Sequence, residues 1–126
     1  MGELRLPADS SQLGAARRYA AEAAAAFGLD AASSSELVYA VNEAVTNAIR
    51  HGAPDAEGRI RVSVLADAER LTFVVRDCGT FLMPVHRPTP QSEHGRGLAL
   101  MARFADEVHV SIRPGATAVS LSRARA

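Results

Sequence analysis

Residues 42–52, NEAVTNAIRHG, form the last turns of a predicted amphipathic helix. At about 100° per residue, the apolar side chains of this helix fall on one arc, whereas Glu43, Asn47 and Arg50 fall within a narrow arc on the other side. One face can therefore pack against a core while the other presents a carboxylate, a carboxamide and a guanidinium. A solvated face carries the same residue types, so taken alone the stretch is more typical of an ordinary surface helix than of a binding site.

Two helices are predicted in the N-terminal half of the chain. The second helix includes the stretch quoted above, opens with Ser33 and Glu36 at the spacing of a capping box, and closes on Gly52. The first helix is the alanine-rich segment 9–30, in which Gly28 is placed as a C-terminal stop. Both ends of the second helix are thus marked by the sequence.

Alternating or β-rich runs on either side of these helices predict five strands. Residues 3–7 alternate polar and apolar and end at Pro7, which predicts a short edge strand. Four further runs predict two hairpins, 59–67 with 70–77 and 107–113 with 116–122. Residues 97–106 predict a short helix, and residues 78–96 predict a long loop of the kind that often forms a lid. Consecutive hairpins imply a mixed, mostly antiparallel sheet, so we expect an α/β two-layer sandwich with helices covering one face.

Two further motifs indicate a ligand site. Asp77 ends a predicted strand and is followed by Gly79, where a carboxylate could accept a hydrogen bond from a ligand's amino group at the edge of the sheet. A strand-end Asp beside Gly is about as often a plain turn. Gly95 and Gly97 directly precede the short helix, whose N–H groups and dipole favour an anion such as phosphate. A lone G-x-G is weak evidence, because glycine clusters occur in any flexible loop.

In this order and at these separations, the motifs resemble those of the GHKL ATPase/kinase superfamily, which has the Bergerat ATP-binding fold. Within it the chain is similar to the RsbW-like anti-sigma factor serine/threonine kinases of bacteria. NEAVTNAIRHG is similar to the N box of that family, DCG to its first glycine box, GRGLALM to its second, and GATAVSL to its closing strand. The resemblance extends over essentially the whole chain and implies a single ATP-binding domain over residues 1–126.

The resemblance gives roles to the helix residues. Glu43 corresponds to the general base and Asn47 to the Mg²⁺ ligand, and Mg²⁺ typically takes only one or two oxygens from protein. A helix holds the two residues one turn apart, so base and metal can face the same γ-phosphate of ATP. The superfamily has no Walker lysine and this sequence has no lysine at all, so charge neutralisation would also involve Arg50 or Arg96.

The remaining implied contacts lie at the two ends of ATP. Asp77 corresponds to the residue that reads the adenine amino group, Gly79 lets the base approach the main chain, and Thr117 supports the adenine pocket. Residues 80–94 correspond to the lid, and the residues implied to contact the phosphates are Gly95, Arg96, Gly97 and Leu98. Phe81 stands where the superfamily has a second glycine, and it either lines the pocket or lid or marks weakened nucleotide binding.

The composition excludes several other classes of protein. Of 126 residues, 48% are hydrophobic and 22% charged, which is typical of one globular domain. The net charge is +0, from 14 basic and 14 acidic residues, which argues against a nucleic-acid binder with a broad basic face. No apolar run approaches the ~20 residues of a membrane span, and the lone cysteine Cys78 fits a reducing compartment. We expect a cytoplasmic protein that binds neither membranes nor nucleic acid directly.

Two functions are weighed. The leading hypothesis, implied by the resemblance, is an anti-sigma factor whose kinase activity uses ATP and Mg²⁺ to phosphorylate an anti-anti-sigma (STAS-domain) antagonist, and which sequesters a sigma factor. The alternative is a non-catalytic nucleotide-binding module that acts by partner exchange. Phe81 favours the alternative, whereas retention of both Glu43 and Asn47 argues against it. The resemblance also implies a homodimer formed through the sheet and the N-terminal region.

Overall fold

The structure, a computed structural model of the chain, describes residues 2–79 and 101–125. Its strands are β1 (Gly2–Pro7), β2 (Arg59–Ala66), β3 (Arg70–Asp77), β4 (Glu107–Arg113) and β5 (Ala116–Ala124), and its long helices are α1 (Leu13–Phe27) and α2 (Ala31–His51). A short 3-10 helix, Ser10–Gln12, precedes α1, and residues 101–104 are also helical. The strands form one sheet with the helices packed on one face, so the predicted α/β two-layer sandwich is confirmed.

The five strands lie in the order β1-β2-β3-β5-β4, and all four pairings between them are antiparallel. Both predicted hairpins are present, β2 with β3 and β4 with β5, and β1 is an edge strand as expected. Because β5 lies beside β3 rather than beyond β4, the start of β5 is next to the end of β3. In this register Asp77 is directly opposite Thr117, which brings two of the predicted site residues together.

The core lies between the inner face of the sheet and the two helices. The fully buried side chains of the sheet include Phe73, Ile60 and Leu121, and α2 packs Leu37 and Val41 against this layer. Burying one such side chain contributes roughly 1.5–3 kcal/mol. α1 contributes small residues instead, a stripe of Ala16, Ala20 and Ala24 at helical spacing that lets it lie close to α2. Of the described residues, no helix has an apolar stretch long enough to span a membrane.

The start of α2 differs from the sequence-based prediction. The N-cap residue is Asp30, whose Oδ1 accepts the main-chain N–H of Ser33 at 2.7 Å, so the helix begins at Ala31. The predicted capping box of Ser33 and Glu36 is wrong, because Asp30 is the N-cap residue and its side chain accepts the N–H of Ser33, which already lies inside the helix. The two side chains contact Arg123 of β5 instead, Glu36 at 2.8 Å and Ser33 Oγ at 3.3 Å. α1 ends at Gly28 as predicted, with a left-handed φ of 97°.

Candidate functional site

The last residue of β3 is Asp77, and main-chain groups fix the orientation of its carboxylate. Its Oδ1 accepts the N–H of Gly79 at 2.7 Å and the N–H of Ala53 at 3.3 Å. Burial raises the pKa of the Asp77 carboxyl above its usual range, while these two hydrogen bonds act in the opposite direction. Both bonds go to Oδ1, so Oδ2 is the carboxylate oxygen that neither main-chain donor uses.

The C-terminal end of α2 packs directly against Asp77. The N–H of Cys78 donates to the carbonyl of Ala53 at 2.8 Å, which joins the loop after α2 to the end of β3. A Cβ atom added at Gly52 would lie 2.5 Å from Asp77 Cγ and 2.6 Å from Asp77 Oδ2. Gly52 has an ordinary φ of −91°, so glycine is needed here for the close approach of the carboxylate and not for an unusual backbone.

Thr117 completes this group of contacts from the neighbouring strand. It is buried, 5% exposed, and its Oγ1 donates to the carbonyl of Gly79 at 2.8 Å. A Cβ atom at Gly79 would lie 2.9 Å from the nitrogen of Ala53, so this glycine also permits close packing of main chain on main chain. The structure therefore brings Thr117, which is distant in the sequence, together with Asp77 and Gly79 at one end of the sheet on its helix side.

Glu43 and Asn47 lie further back along α2, one turn apart and both half-buried. The helical rise of about 1.5 Å per residue places Asn47 about 7.5 Å along the axis from Gly52, and Glu43 about 13.5 Å from it. Arg50 is exposed in the last turn of α2. The C-terminal half of one helix thus carries the predicted base and the predicted metal ligand, and the residue that follows this helix, Gly52, contacts Asp77.

The other predicted site residues lie outside the described part of the chain: Phe81, Gly95, Arg96, Gly97, Leu98 and the lid over 80–94. Their implied contacts with the phosphates stay predictions. Among residues 2–79 and 101–125 there is no group of three or more His, Cys, Asp or Glu side chains that could hold a metal ion.

Two residues of the site were missed by the sequence analysis. Gly52 was interpreted only as a helix stop, and Ala53 was given no role. Ala53 takes part through its main-chain N–H and C=O, which any residue except proline supplies, so its side chain carries no signal. Gly52 does carry a sequence signal, because a glycine at the end of a polar helical face can mark the close approach of another segment. The sequence does not say which segment approaches it.

Comparison with known proteins gives a family match that covers most of the chain. Residues 6–123 match the family described as histidine kinase-like ATPase domain. The chain is 33% identical to a protein of Bacillus licheniformis named serine-protein kinase RsbW, over 96% of this chain and 83% of the relative. It is 35% identical to an anti-sigma F factor of Bacillus thuringiensis, over 60% of this chain and 58% of the relative.

Solved structures show the same fold. The crystal structure of the RsbU and RsbW domains of a Mycobacterium tuberculosis protein superposes with a TM-score of 0.74 at 23% identity, covering 99% of this chain and 33% of that longer chain. The histidine kinase domain of a blue-light activated histidine kinase from Erythrobacter litoralis gives a TM-score of 0.57 at 20% identity, with 95% and 62% coverage. At these identities the likeness concerns the fold alone.

Proposed function

Since the chain belongs to the histidine kinase-like ATPase family, in its RsbW-like branch, we propose that it is an anti-sigma factor with ATP-dependent serine/threonine kinase activity. Its substrate would be a hydroxyl group of an anti-anti-sigma (STAS-domain) antagonist, and its second partner a sigma factor. The observation that carries the proposal is the Asp77 carboxylate, which main-chain donors orient at the end of the sheet beside Thr117. Asp77 Oδ2 is an acceptor for the amino group of adenine.

The proposed transfer uses the two polar residues of α2. The antagonist hydroxyl oxygen bonds to the γ-phosphorus of ATP as the bond from phosphorus to ADP breaks, and Glu43 takes the hydroxyl proton. Mg²⁺, when bound with ATP, neutralises charge on the phosphate oxygens. The amide oxygen of Asn47 suits this hard cation, which prefers oxygen ligands, and its place one turn from Glu43 puts base and metal ligand on the same helix.

The phosphate end of the nucleotide is assigned to residues predicted from the sequence. Main-chain N–H groups of residues 95–98 would contact the phosphates, since these residues come shortly before residues 101–104, which are helical. Arg50 and Arg96 are the proposed cationic partners of the phosphates, and Phe81 is proposed to line the pocket or the lid. The domain as proposed is a single ATP-binding unit over residues 1–126.

Partner exchange would follow from the charge of the product. A phosphoryl group adds roughly 2 negative charges at neutral pH to an interface that fitted a hydroxyl, so the phosphorylated antagonist leaves and the sigma factor is captured. The names of the relatives support the two proposed activities: serine-protein kinase RsbW supports the phosphorylation of a protein, and anti-sigma F factor supports the binding of a sigma factor. We further propose a homodimer in the cytoplasm, without direct binding to membranes or nucleic acid.

One observation favours a second candidate function. Phe81 replaces the second glycine of the first glycine box, and a side chain there could reduce room for the nucleotide. In that case the protein would be a non-catalytic nucleotide-binding module that exchanges partners without phosphoryl transfer. Glu43 distinguishes the two candidates, because a binding module needs no general base.

The experiment that tests the proposal compares wild type, Asp77→Asn and Glu43→Ala. Calorimetric titration with ATP, with and without Mg²⁺, measures binding, and transfer of labelled phosphate to a panel of purified STAS-domain proteins measures activity. In Asp77→Asn, Oδ1 still accepts the two main-chain N–H groups, but Nδ2 places a donor where adenine presents a donor, so ATP affinity should fall at least about tenfold. Glu43→Ala should still bind ATP while transfer falls about 10²-fold or more.

Glu57→Ala is the matched control, since Glu57 is an exposed acidic residue in the loop before β2 and should leave both measurements unchanged. Transfer at the wild-type rate by Glu43→Ala would contradict the role of Glu43. A folded wild-type protein that binds ATP but phosphorylates none of the STAS proteins would favour the binding module. Absence of any ATP binding by the folded wild-type protein would contradict the kinase, and would favour a degenerate pocket at Phe81 in a module that acts by partner exchange alone.

A further inference from the structure

The face of the sheet opposite the helices carries a row of three arginines. In the strand register Arg5 of β1 is directly opposite Arg61 of β2, and Arg61 is directly opposite Arg76 of β3. Arg61 lies between two buried residues of β2, and successive side chains of a strand point to opposite faces, so the row points away from the helices. Arg59, at the start of β2, shares this face. These four residues, Arg5, Arg59, Arg61 and Arg76, are called the arginine cluster below.

The carboxylates near the arginine cluster do not balance its charge. Glu3 binds Arg5, with 3.2 Å between Glu3 Oε1 and Arg5 Nε, and its Oε2 accepts the hydroxyl of Ser63 at 3.3 Å. The Oδ1 of Asp55 accepts two main-chain N–H groups of its own loop. Two carboxylates thus stand against four guanidinium groups, although the chain as a whole has a net charge of +0.

The register of the strands makes this excess of positive charge costly. Like charges directly opposite each other on neighbouring strands destabilise a sheet, and the row contains two such pairs side by side. Arg76 donates to Ser63 Oγ at 3.3 Å, a neutral acceptor. Among residues 2–79 and 101–125, the side chain of Arg61 has no hydrogen bond or ion pair. An anionic ligand would relieve this repulsion, because a guanidinium can donate two parallel hydrogen bonds to one carboxylate.

We propose that the arginine cluster binds a short acidic segment of a partner protein. With neighbouring strands about 4.8 Å apart, the backbone of the row spans about 10 Å, and Arg59 lies about 7 Å from Arg61 along β2. An extended peptide carries the side chains of one face about 7 Å apart. Three or four acidic residues at alternate positions of such a segment therefore cover the cluster.

The charge of the surrounding surface favours a short acidic segment over a nucleic acid or a membrane. Glu3 lies on the same face in the row next to the cluster, and Glu107 lies on that face at the far end of the sheet. The turn between β2 and β3, also at the far end, contains Asp67 and Glu69. A long, uniformly negative partner would meet these carboxylates, and proteins that bind such partners usually have an extended basic face.

The arginine cluster and the candidate nucleotide site lie on opposite faces of the sheet. Arg76 directly precedes Asp77 in β3, so the two side chains point to opposite faces. The described chain stops at Gly79, which Thr117 contacts on the helix side, and resumes at Met101, which is buried in the core on that side. A ligand on the cluster is therefore independent of what the candidate site binds.

Fluorescence anisotropy with a labelled peptide tests the proposal on the full chain without nucleotide. The probe has four glutamates that alternate with threonines, and a matched peptide has glutamine in place of each glutamate. Wild type should bind the glutamate peptide at least about tenfold more tightly than the glutamine peptide. Because the contact is electrostatic, raising NaCl from about 50 to about 300 mM should weaken it severalfold.

Two substitutions at Arg61, the centre of the row, separate binding from folding. Arg61→Gln removes the charge but keeps much of the side chain, and it should raise the dissociation constant of the glutamate peptide about fivefold. Arg61→Glu should raise it about tenfold or more. The fold of Arg61→Glu should be no less stable than wild type, because opposite charges then face each other across the strands. Thermal denaturation followed by circular dichroism measures stability.

Arg18→Gln is the matched control, since Arg18 is an exposed arginine of α1, on the other side of the sheet. It should leave peptide binding unchanged. The proposal is overturned if wild type binds both peptides equally, or if Arg61→Glu binds the glutamate peptide as tightly as wild type does. It is also overturned if an oligothymidylate or phosphatidylglycerol vesicles bind more tightly than the glutamate peptide and lose binding in Arg61→Glu.

Two further measurements separate the arginine cluster from other surfaces of the protein. Sedimentation velocity should give the same oligomeric state for Arg61→Glu and wild type, and a difference would assign the cluster to contacts between copies and overturn the proposal. The affinity of Arg61→Glu for ATP should equal that of wild type. Failure of wild type to bind ATP would contradict the proposed function but would not affect the peptide test.

Discussion

At the scale of single residues, the site depends on a carboxylate and a glycine that touch. Asp77 is oriented by the N–H groups of Gly79 and Ala53, and its carboxylate lies where a side chain at residue 52 would be. The arrangement makes Gly52 as important for the position of the carboxylate as the residues that bond to it. It also explains why a residue without a side chain belongs to the site.

Gly52→Ala should therefore damage nucleotide binding without altering any polar group. The added Cβ would be 2.5 Å from Asp77 Cγ and 2.7 Å from the carbonyl oxygen of Ala48, so the carboxylate or the end of α2 must shift. We expect the free energy of unfolding to fall by about 1–3 kcal/mol, as for other overpacked sites. ATP affinity should fall at least about tenfold, as in Asp77→Asn.

Chemical denaturation and calorimetric titration check this prediction. Gly14→Ala is the control, because the new Cβ on α1 would meet only the ends of arginine side chains, and no nearer than 3.4 Å. That variant should bind ATP normally and be at least as stable as wild type, since alanine favours a helix over glycine. Normal ATP affinity in Gly52→Ala would show that ATP binding does not require the Asp77 carboxylate in its present position.

At the scale of secondary-structure elements, Arg123 joins three of them. Its guanidinium donates to Glu36 near the start of α2 at 2.8 Å, to the carbonyl of Phe104 at 2.9 Å and to Ser33 Oγ at 3.3 Å. The Arg123 side chain is only 20% exposed but that of Glu36 is 42% exposed, so these bonds are partly shielded from solvent. Arg123 fixes the end of β5 to the beginning of α2 and to the end of the helix at residues 101–104.

Arg123→Met should lower the free energy of unfolding by about 2–3 kcal/mol, because it removes charge-assisted hydrogen bonds while keeping most of the apolar volume. Thermal and urea denaturation measure the change. Glu36→Gln is the matched control, since it can still accept a hydrogen bond from Arg123 and leaves the Phe104 and Ser33 contacts in place. A loss in Glu36→Gln as large as in Arg123→Met would mean that the ion pair alone accounts for the effect.

Most of the helices and strands could be predicted from the sequence. The features that could not be predicted all depend on contacts between residues far apart in the sequence. Strands and helices were predicted from periodicity, glycine stops and turn residues, all of which act within a few residues. The start of α2 was misplaced because Ser33 and Glu36 satisfied a local rule, whereas the structure uses them to bind Arg123, nearly ninety residues later. The contact between Gly52 and Asp77 could not be predicted either, because it depends on how α2 and β3 meet in three dimensions.

At the scale of the whole molecule, a ligand that binds only the folded state adds its binding free energy to stability. At an ATP concentration 100 times the dissociation constant, the free energy of unfolding should rise by about 2.7 kcal/mol. Because we propose that Asn47 holds Mg²⁺ together with the nucleotide, removing Mg²⁺ with EDTA should reduce this increase. Thermal unfolding with ATP, with ATP and Mg²⁺, and with neither measures both effects.

Asn47→Ala supplies the control for the metal. It should respond to ATP alone much as wild type does, but should gain little more when Mg²⁺ is added. An equal gain from Mg²⁺ in both proteins would show that the metal ion does not use Asn47. The ligand-free stability of the variant separates this effect from damage to the fold.

The continuous helix between Asn47 and Gly52 has a consequence for how this protein can change over evolutionary time. The helix fixes both the distance and the rotation between the predicted phosphate end of the site and the packing of Gly52 on Asp77. Substitutions at exposed positions between them leave that spacing intact. An insertion or deletion of one residue would turn Asn47 by about 100° relative to Gly52. This segment should therefore accept changes of residue type at its exposed positions, Arg50 and His51, but not changes of length.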